Sequence, residues 1–254
     1  MRMHLLSGGR LSMPRAVYYP EARSEEWFEM PVSCALFRHP QGVALFDTGC
    51  HPDAADDGEN RWGRSAARYS KPIFRREDAV VGQLPQAGLT ARDVDLVICS
   101  HLHYDHCGCN GFFDRATVIC QARELAAARA EDAQRQGFLQ REWDVGTAIQ
   151  AIDGEHDVFG DGRLTLIPLP GHTPGSMGVH AVLDWSGSFL LASDAAPVAA
   201  SLARRTVPKN TWDPALFLQS LDEIARHADE GASVLFGHDD AQWRSVRTGA
   251  LHYD

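Results

Sequence analysis

The sequence predicts an α/β fold in which β-sheets pack on one another with helices outside. Three observations carry this. Short β-prone runs recur along the chain, separated by loops rich in Gly, Asp and Ser. Only a few stretches read as helices. Several of the runs end on a histidine or an aspartate. No fixed-period repeat and no low-complexity linker divides the chain, so residues 1–254 are expected to form one domain.

Val32 to Leu36 and Val43 to Phe46 flank a polar turn, Arg38 to Gly42, and predict a hairpin. Asp47-Thr48-Gly49 follows at the strand end. His51 to Tyr69 is rich in Asp, Arg and Gly and reads as a long surface loop. Leu84 to Leu89 predicts a short helix stopped by Gly88. Asp95 to Cys99 is a short apolar run of the buried-strand kind, and Thr117 to Cys120 is another. Arg123 to Gln136 is Ala-rich with Arg and Glu, a helix by propensity. Leu164 to Leu169, Gly178 to Leu183 and Ser188 to Leu191 read as strands. Asp213 is placed as an N-cap and Pro214 as a first-turn residue. The amphipathic helix they open reaches His227, with Leu216, Phe217, Leu221 and Ile224 on its apolar face. Ser233 to Phe236 is the last strand and runs into Gly237-His238-Asp239.

Hydrophobic residues make up 44% and charged residues 23%, ordinary for a globular enzyme. A net charge of -10 argues against a phosphate-reading surface, which needs clustered Lys and Arg, so no nucleic-acid partner is expected. No run approaches the ~20 apolar residues of a membrane span. The first segment lacks the apolar core of a signal peptide. The cysteines (Cys34, Cys50, Cys99, Cys107, Cys109 and Cys120) follow no framework spacing, and reduced thiols in the cytoplasm are the expectation. Cys107-Gly108-Cys109 has no second Cys pair downstream with which to close a structural zinc site.

The chemistry is concentrated in His101-Leu102-His103-Tyr104-Asp105-His106, four ligand-type residues in six positions. In an extended segment, residues i and i+2 point to one side, so His101 and His103 converge on one point. Asp105 and His106 follow where the chain must turn and can reach a second point. Imidazole nitrogen and carboxylate oxygen suit zinc. One cluster cannot complete two coordination shells, and three later residues have the same character. They are His172 within Pro170 to Gly175, Asp194 at the end of Leu190 to Asp194, and His238 after Phe236-Gly237. Singly, these could be a turn residue, a helix N-cap and a solvated loop residue. Jointly they fit loops gathered into one cleft at the edge of a sheet.

In this order the chain resembles the metallo-β-lactamase fold superfamily, which carries His-x-His-x-Asp-His, a Gly-His, an Asp and a final His. Asp47-Thr48-Gly49 resembles that family's early Asp-x-Gly turn. The resemblance runs from about Val32 to His238. It implies an αββα sandwich of two packed mixed β-sheets with helices outside and a metal cleft along one edge. It implies two divalent metal ions per chain, Zn2+ being the expected metal. His101, His103 and His172 would hold the first. Asp105, His106 and His238 would hold the second, with Asp194 bridging; Asp105 and Asp194 are thus the carboxylates at the reaction centre. Such metals stand ~3.5–4 Å apart with a hydroxide between them, the implied nucleophile. One metal would polarise the substrate carbonyl and the other stabilise the leaving alkoxide. Asp47 would orient a ligand imidazole by accepting its hydrogen bond; a turn-capping role is the compatible second reading.

Ser100 to Asn110 is similar to the Ser-His-x-His-x-Asp-His-x-Gly-Gly-Asn of the N-acyl homoserine lactonases, the quorum-quenching group. Trp212-Asp213-Pro214 and Phe236 to Asp239 are also similar to that group. Asp105, where true β-lactamases have Cys, points the same way. The resemblance implies hydrolytic opening of a lactone, an N-acyl homoserine lactone or a related small one. Another ester-type hydrolase of this scaffold (thioesterase, aromatic lactonase or phosphotriesterase) would share every ligand and is the alternative. Two positions depart from the group. Its Tyr three residues after the bridging Asp, which can hydrogen-bond the substrate carbonyl, is Pro197 here. A phenol would have to come from Tyr18, Tyr19, Tyr69 or Tyr104; otherwise a metal acts alone. Cys109 stands where the group has Gly, either packed in the core or lining the cleft. Tyr18, Trp27, Phe28 and Tyr104 are the candidates for a substrate pocket, although the segment from Tyr18 to Met30 could equally pack the N-terminus. The stretch with Arg61, Trp62, Arg64 and Arg68 reads as a lid or a solvated loop. A homodimer is compatible with the sequence.

Overall fold

Apolar strands largely buried on both faces build the two sheets in the computed structural model of the chain, which describes residues 1–254. Strands β1 (Arg2–Pro14) and β2 (Trp27–His39) pair antiparallel, with a register shift between Ser7 and Arg10. The later strands of this sheet are β3 (Gly42–Phe46), β4 (Lys71–Pro72), β5 (Leu96–Ile98), β6 (Thr117–Gln121) and β7 (Ala148–Ile152). Its order is β4-β1-β2-β3-β5-β6-β7, parallel from β3 to β7 and antiparallel elsewhere. The second sheet takes β8 (His156–Asp157), β9 (Leu164–Pro168), β10 (Met177–Leu183), β11 (Gly187–Ser193) and β12 (Ser233–Phe236), in the order β12-β11-β10-β9-β8. Only β11 and β12 run parallel there.

The inner faces meet in one apolar layer. Phe37, Phe46 and Ile98 of the first sheet pack with Leu166, Val179 and Leu191 of the second. The outer face of the first sheet, with Leu36, Leu45 and Val97, is covered by residues of short helices and loops such as Trp62, Leu84 and Phe138. The outer face of the second sheet receives Phe217, Leu221 and Ile224 from the Pro214–Asp229 helix. That helix starts as the sequence predicts, with the Asp213 carboxylate accepting from the amides of Ala215 and Leu216. Helices, two mixed sheets and helices make the αββα sandwich.

Three local expectations are corrected. Residues 51 to 69 are not an open loop. They form three short helices, Asp53–Asp56, Gly58–Trp62 and Arg64–Tyr69, which bury Ala54 and Trp62. Arg61 fixes this segment by forking onto the buried Glu142 carboxylate at 2.7 and 2.9 Å. The Ala-rich helix stops at Ala128, and a 3-10 turn at Ala133–Gln136 replaces its second half. The predicted hairpin is longer at its start, and β1 precedes it as a full strand. All six cysteines are free and buried; the Cys109 thiol points to the Cys50 carbonyl at 3.2 Å, inside the core.

Because β3 and β5 run parallel, and β11 and β12 likewise, their C-terminal ends leave each sheet at a common edge. Asp47, Asp194 and Gly237 follow directly on those ends, and Ser100 comes one residue later.

Candidate metal centre

The chain leaves β5 at Ile98 and enters a one-turn helix, Tyr104–Cys107, after passing His101 and His103. His172 comes from the loop between β9 and β10, Asp194 from the end of β11, and His238 from the turn after β12. All seven expected ligands therefore meet at one edge. Three overlapping groups form, and within each one ligand atom per residue lies within 4.8 Å of the others: His101, His103 and His172; His101, His106 and Asp194; Asp105, His106 and His238. Asp194 stands between the halves. Its Oδ1 lies 2.9 Å from His238 Nε2 and 3.4 Å from His106 Nε2, while Oδ2 lies 3.4 Å from His172 Nε2.

A hydrogen bond made by the other ring nitrogen fixes which nitrogen each imidazole presents. His106 gives Nδ1–H to Asp47 at 2.8 Å, and His238 gives Nδ1–H to the Pro31 carbonyl at 2.8 Å. His103 gives Nε2–H to the Gln136 carbonyl at 2.8 Å and so turns Nδ1 inward, 3.1 Å from His172 Nε2. His101 Nδ1 contacts the Ser100 hydroxyl at 3.0 Å. The 3-10 turn that interrupts the Ala-rich helix is what brings the Gln136 carbonyl to His103.

The donor set fits a cation. Nε2 of His101, His106 and His238 and Oδ1 of Asp194 are buried without a hydrogen-bond partner. Each such atom costs roughly 1–3 kcal/mol, and four facing one another mark a place for positive charge. Burial pushes His172 down to about 3 and His101 well below its usual value, which favours the neutral, ligating imidazole. At His106 burial works against the cation too, but the Asp194, Asp105 and Asp47 carboxylates outweigh it and raise the pKa. Burial opposes ionisation of Asp194, yet His238, His106 and His172 hold it well below the usual carboxylate range.

Two supports lie outside the seven expected ligands. Asp47 has a left-handed backbone, φ 57°, and its carboxylate accepts from the Ser100 amide and hydroxyl, His106 Nδ1 and the Ser193 hydroxyl. Glu124, which the sequence reading missed, is buried on the Ala122–Ala128 helix. It accepts from the Leu102 amide at 2.9 Å, the Thr173 hydroxyl at 2.7 Å and the Gly175 amide at 2.9 Å, so it ties the His101–His103 segment to the His172 loop. Burial pushes Glu124 up to about 7 against those three bonds. A lone acid in an Ala-rich run was its only signal. Glycine permits two close approaches: a Cβ at Gly171 (φ 136°) would lie 2.3 Å from the Phe217 amide nitrogen, and one at Gly237 2.9 Å from Asp194 Oδ1.

A sequence model described as the metallo-beta-lactamase superfamily matches residues 27–238. The chain belongs to the metallo-β-lactamase superfamily. Among curated members, N-acyl homoserine lactonase AttM of Azorhizobium caulinodans is 32% identical, covering 100% of this chain and 99% of the relative. N-acyl homoserine lactonase AiiA of Bacillus thuringiensis subsp. kurstaki is 28% identical over 97% and 96% of the two chains. A solved N-acyl homoserine lactone hydrolase with the product N-hexanoyl-L-homoserine bound at its catalytic metal centre superposes with a TM-score of 0.89. It is 26% identical and is covered over 98% of its length by 99% of this chain.

In this metallo-β-lactamase superfamily chain a cleft of about 570 Å³ opens onto Asp105, Asp194 and His103. Met13, Tyr18 and Met30 line one wall and Tyr69, Ser70 and Tyr104 another. Of the four pocket candidates, Tyr18 and Tyr104 lie there. Trp27 and Phe28 do not line it: Trp27 is on the surface beneath the Lys71 ammonium at 4.1 Å, and Phe28 packs edge-on behind Tyr18 and Tyr19. Tyr18 thus stands between Phe28 and the cleft, and Trp27 begins β2 at the surface.

Proposed function

We propose that the chain is a metal-dependent lactonase that opens N-acyl homoserine lactones or related small lactones by hydrolysis. The observation that carries the reading is the convergence of seven His and Asp side chains on one buried cluster, in a chain whose full-length curated relatives are lactonases. We assign two divalent cations to it, with zinc as the metal suited to imidazole and carboxylate. One domain of 254 residues carries the site. No helix is long and apolar enough to cross a membrane, and we place the enzyme in the cytoplasm.

His101, His103 and His172 would hold one cation and Asp105, His106 and His238 the other, with Asp194 shared. Such a pair supplies a Lewis acid for the ester carbonyl and lowers the pKa of water towards neutrality. The remaining work belongs to side chains. Asp47, Pro31 and Gln136 hold His106, His238 and His103 in the ligating tautomer. Glu124 keeps the two His-bearing loops in register. Asp105 is partly exposed in the cleft, where its carboxylate would take a proton from the attacking water and return it to the ring oxygen as the C–O bond breaks. The Met13–Met30 wall receives the acyl chain.

The deciding experiment joins metal analysis with a substrate panel of N-acyl homoserine lactones, other lactones, thioesters and an organophosphate triester. Two metals per chain and metal-dependent lactone opening are the expected result. Turnover of the thioester or triester alone would replace the substrate assignment, and fewer than two metals with no ester turnover would overturn the whole reading.

A further inference from the structure

Three of the five tyrosines have other partners, and a fourth, Tyr69, lines the cleft but is exposed, with no packing that fixes its ring. Tyr253 pairs with Met3 at a sheet edge, and Tyr19 lies under the Arg15 guanidinium at 4.2 Å. Tyr104 donates its hydroxyl to Ser70 Oγ at 2.7 Å. Tyr18 differs from all of them. It closes the 3-10 turn Arg15–Val17 that follows β1, and it is buried. Its ring stacks on His238, with centroids 5.9 Å apart and planes 20° from parallel, while Phe28 meets it edge-on at 5.9 Å. It shares the cleft with Asp105 and Asp194. No acceptor in the chain takes its hydroxyl proton, and the Asn210 side chain lines the same cleft. Pro197, three residues after Asp194, has no donor of its own, and its carbonyl is taken by the His238 amide at 2.7 Å.

The ring is buried while the residue lines the cleft, so a ligand there can take the hydrogen bond that no group of the chain takes. We propose that Tyr18 donates its phenolic hydrogen bond to the carbonyl oxygen of the lactone. This assignment rests on the lactonase reading above. When hydroxide oxygen bonds to the carbonyl carbon, the C=O π pair moves onto the carbonyl oxygen and strengthens its bond with the Tyr18 O–H. As the pair returns, the ring C–O bond breaks and the departing alkoxide takes a proton; Tyr18 keeps its own. Packing between His238 and Phe28 fixes the ring beforehand, so the donor needs no reorganisation during the reaction.

The test compares metal-loaded wild type, Tyr18→Phe and Tyr19→Phe on a lactone that the wild type opens. Tyr18→Phe should lower kcat by ~10- to 100-fold with KM changed far less, while Tyr19→Phe matches the wild type. Metal content and melting temperature should be unchanged in both. Calorimetric titration with the ring-opened product, which retains the attacked carbonyl's oxygen, should give a ~10-fold weaker Kd for Tyr18→Phe. A Tyr18→Phe kcat within twofold of an active wild type overturns the assignment alone, and so does a fall that tracks lost metal or a lower melting temperature. A wild type inert towards every lactone overturns the lactonase reading and this assignment with it.

Discussion

Asp47 and Ser193 leave their strands in the same left-handed backbone conformation, φ 57° and 46°, and meet through a 3.3 Å hydrogen bond. Two non-glycine residues held there, one from each sheet, are strained positions that the surrounding contacts must over-determine. The shared acceptor is the Asp47 carboxylate, which also holds His106. Asp47→Asn keeps the shape but removes the charge and one acceptor oxygen. Metal affinity should weaken ~10- to 100-fold, read by competition with a chelator. An unchanged affinity would show that Asp47 only caps its turn.

Asp194 and Asp105 should separate by stoichiometry. Asp194 faces both halves of the cluster, so Asp194→Ala should strip both metals. Asp105 faces only His106 and His238, so Asp105→Ala should release one metal and leave the other with His101, His103 and His172. Elemental analysis after dialysis distinguishes these results; equal losses in the two variants would contradict the division of ligands.

Glu124 gives a pH signature in the metal-free protein. Burial lifts its pKa from 4.5 to about 7, so the folded state binds the proton more tightly than the unfolded one. Its contribution is fully present below pH 4.5 and is lost as pH rises through 7, on the order of 3 kcal/mol across that window. Glu124→Gln cannot accept all three hydrogen bonds and should lower stability by ~1–3 kcal/mol at pH 5. The gap from wild type should shrink as pH approaches 8. Urea unfolding at several pH values measures it, and a gap independent of pH would refute the assignment.

Gly237→Ala tests the approach of the last ligand loop. The added methyl would meet Asp194 Oδ1 and the Ser193 carbonyl at 2.9 Å. Overpacking of this kind costs ~1–3 kcal/mol. The variant should fold, melt lower and bind metal more weakly, by thermal unfolding with and without added zinc.

The candidate ligands were legible because His101, His103, Asp105 and His106 crowd six positions, and His172, Asp194 and His238 each stand beside Gly or Ser after a β-like run. The family resemblance then placed them in two sheets, and β5, β10, β11 and β12 lie where their apolar runs predict. The helices between 53 and 69 were not legible, because one turn each is too short for a 3.6-residue period to register. The Ala-rich run carried no stop signal at Ala128; there the turn serves a tertiary contact, the Gln136 carbonyl on His103, that propensity cannot see. Glu124 was hidden for the same reason: its three partners lie on segments distant in sequence.

The Arg61–Glu142 fork has a consequence for the shapes the enzyme can accept. Both groups are largely withdrawn from water, and parting them would strand a buried carboxylate, a loss of ~3–5 kcal/mol. The helices of residues 53–69 and the Gln140–Trp143 turn therefore travel as a single clasped block. A bulkier guest has to be accommodated by the opposite, unclasped side, where Met13 and Met30 offer pliable thioether-bearing chains. Tolerance for guest length is thus written into two methionines, and the far bank of the channel stays put.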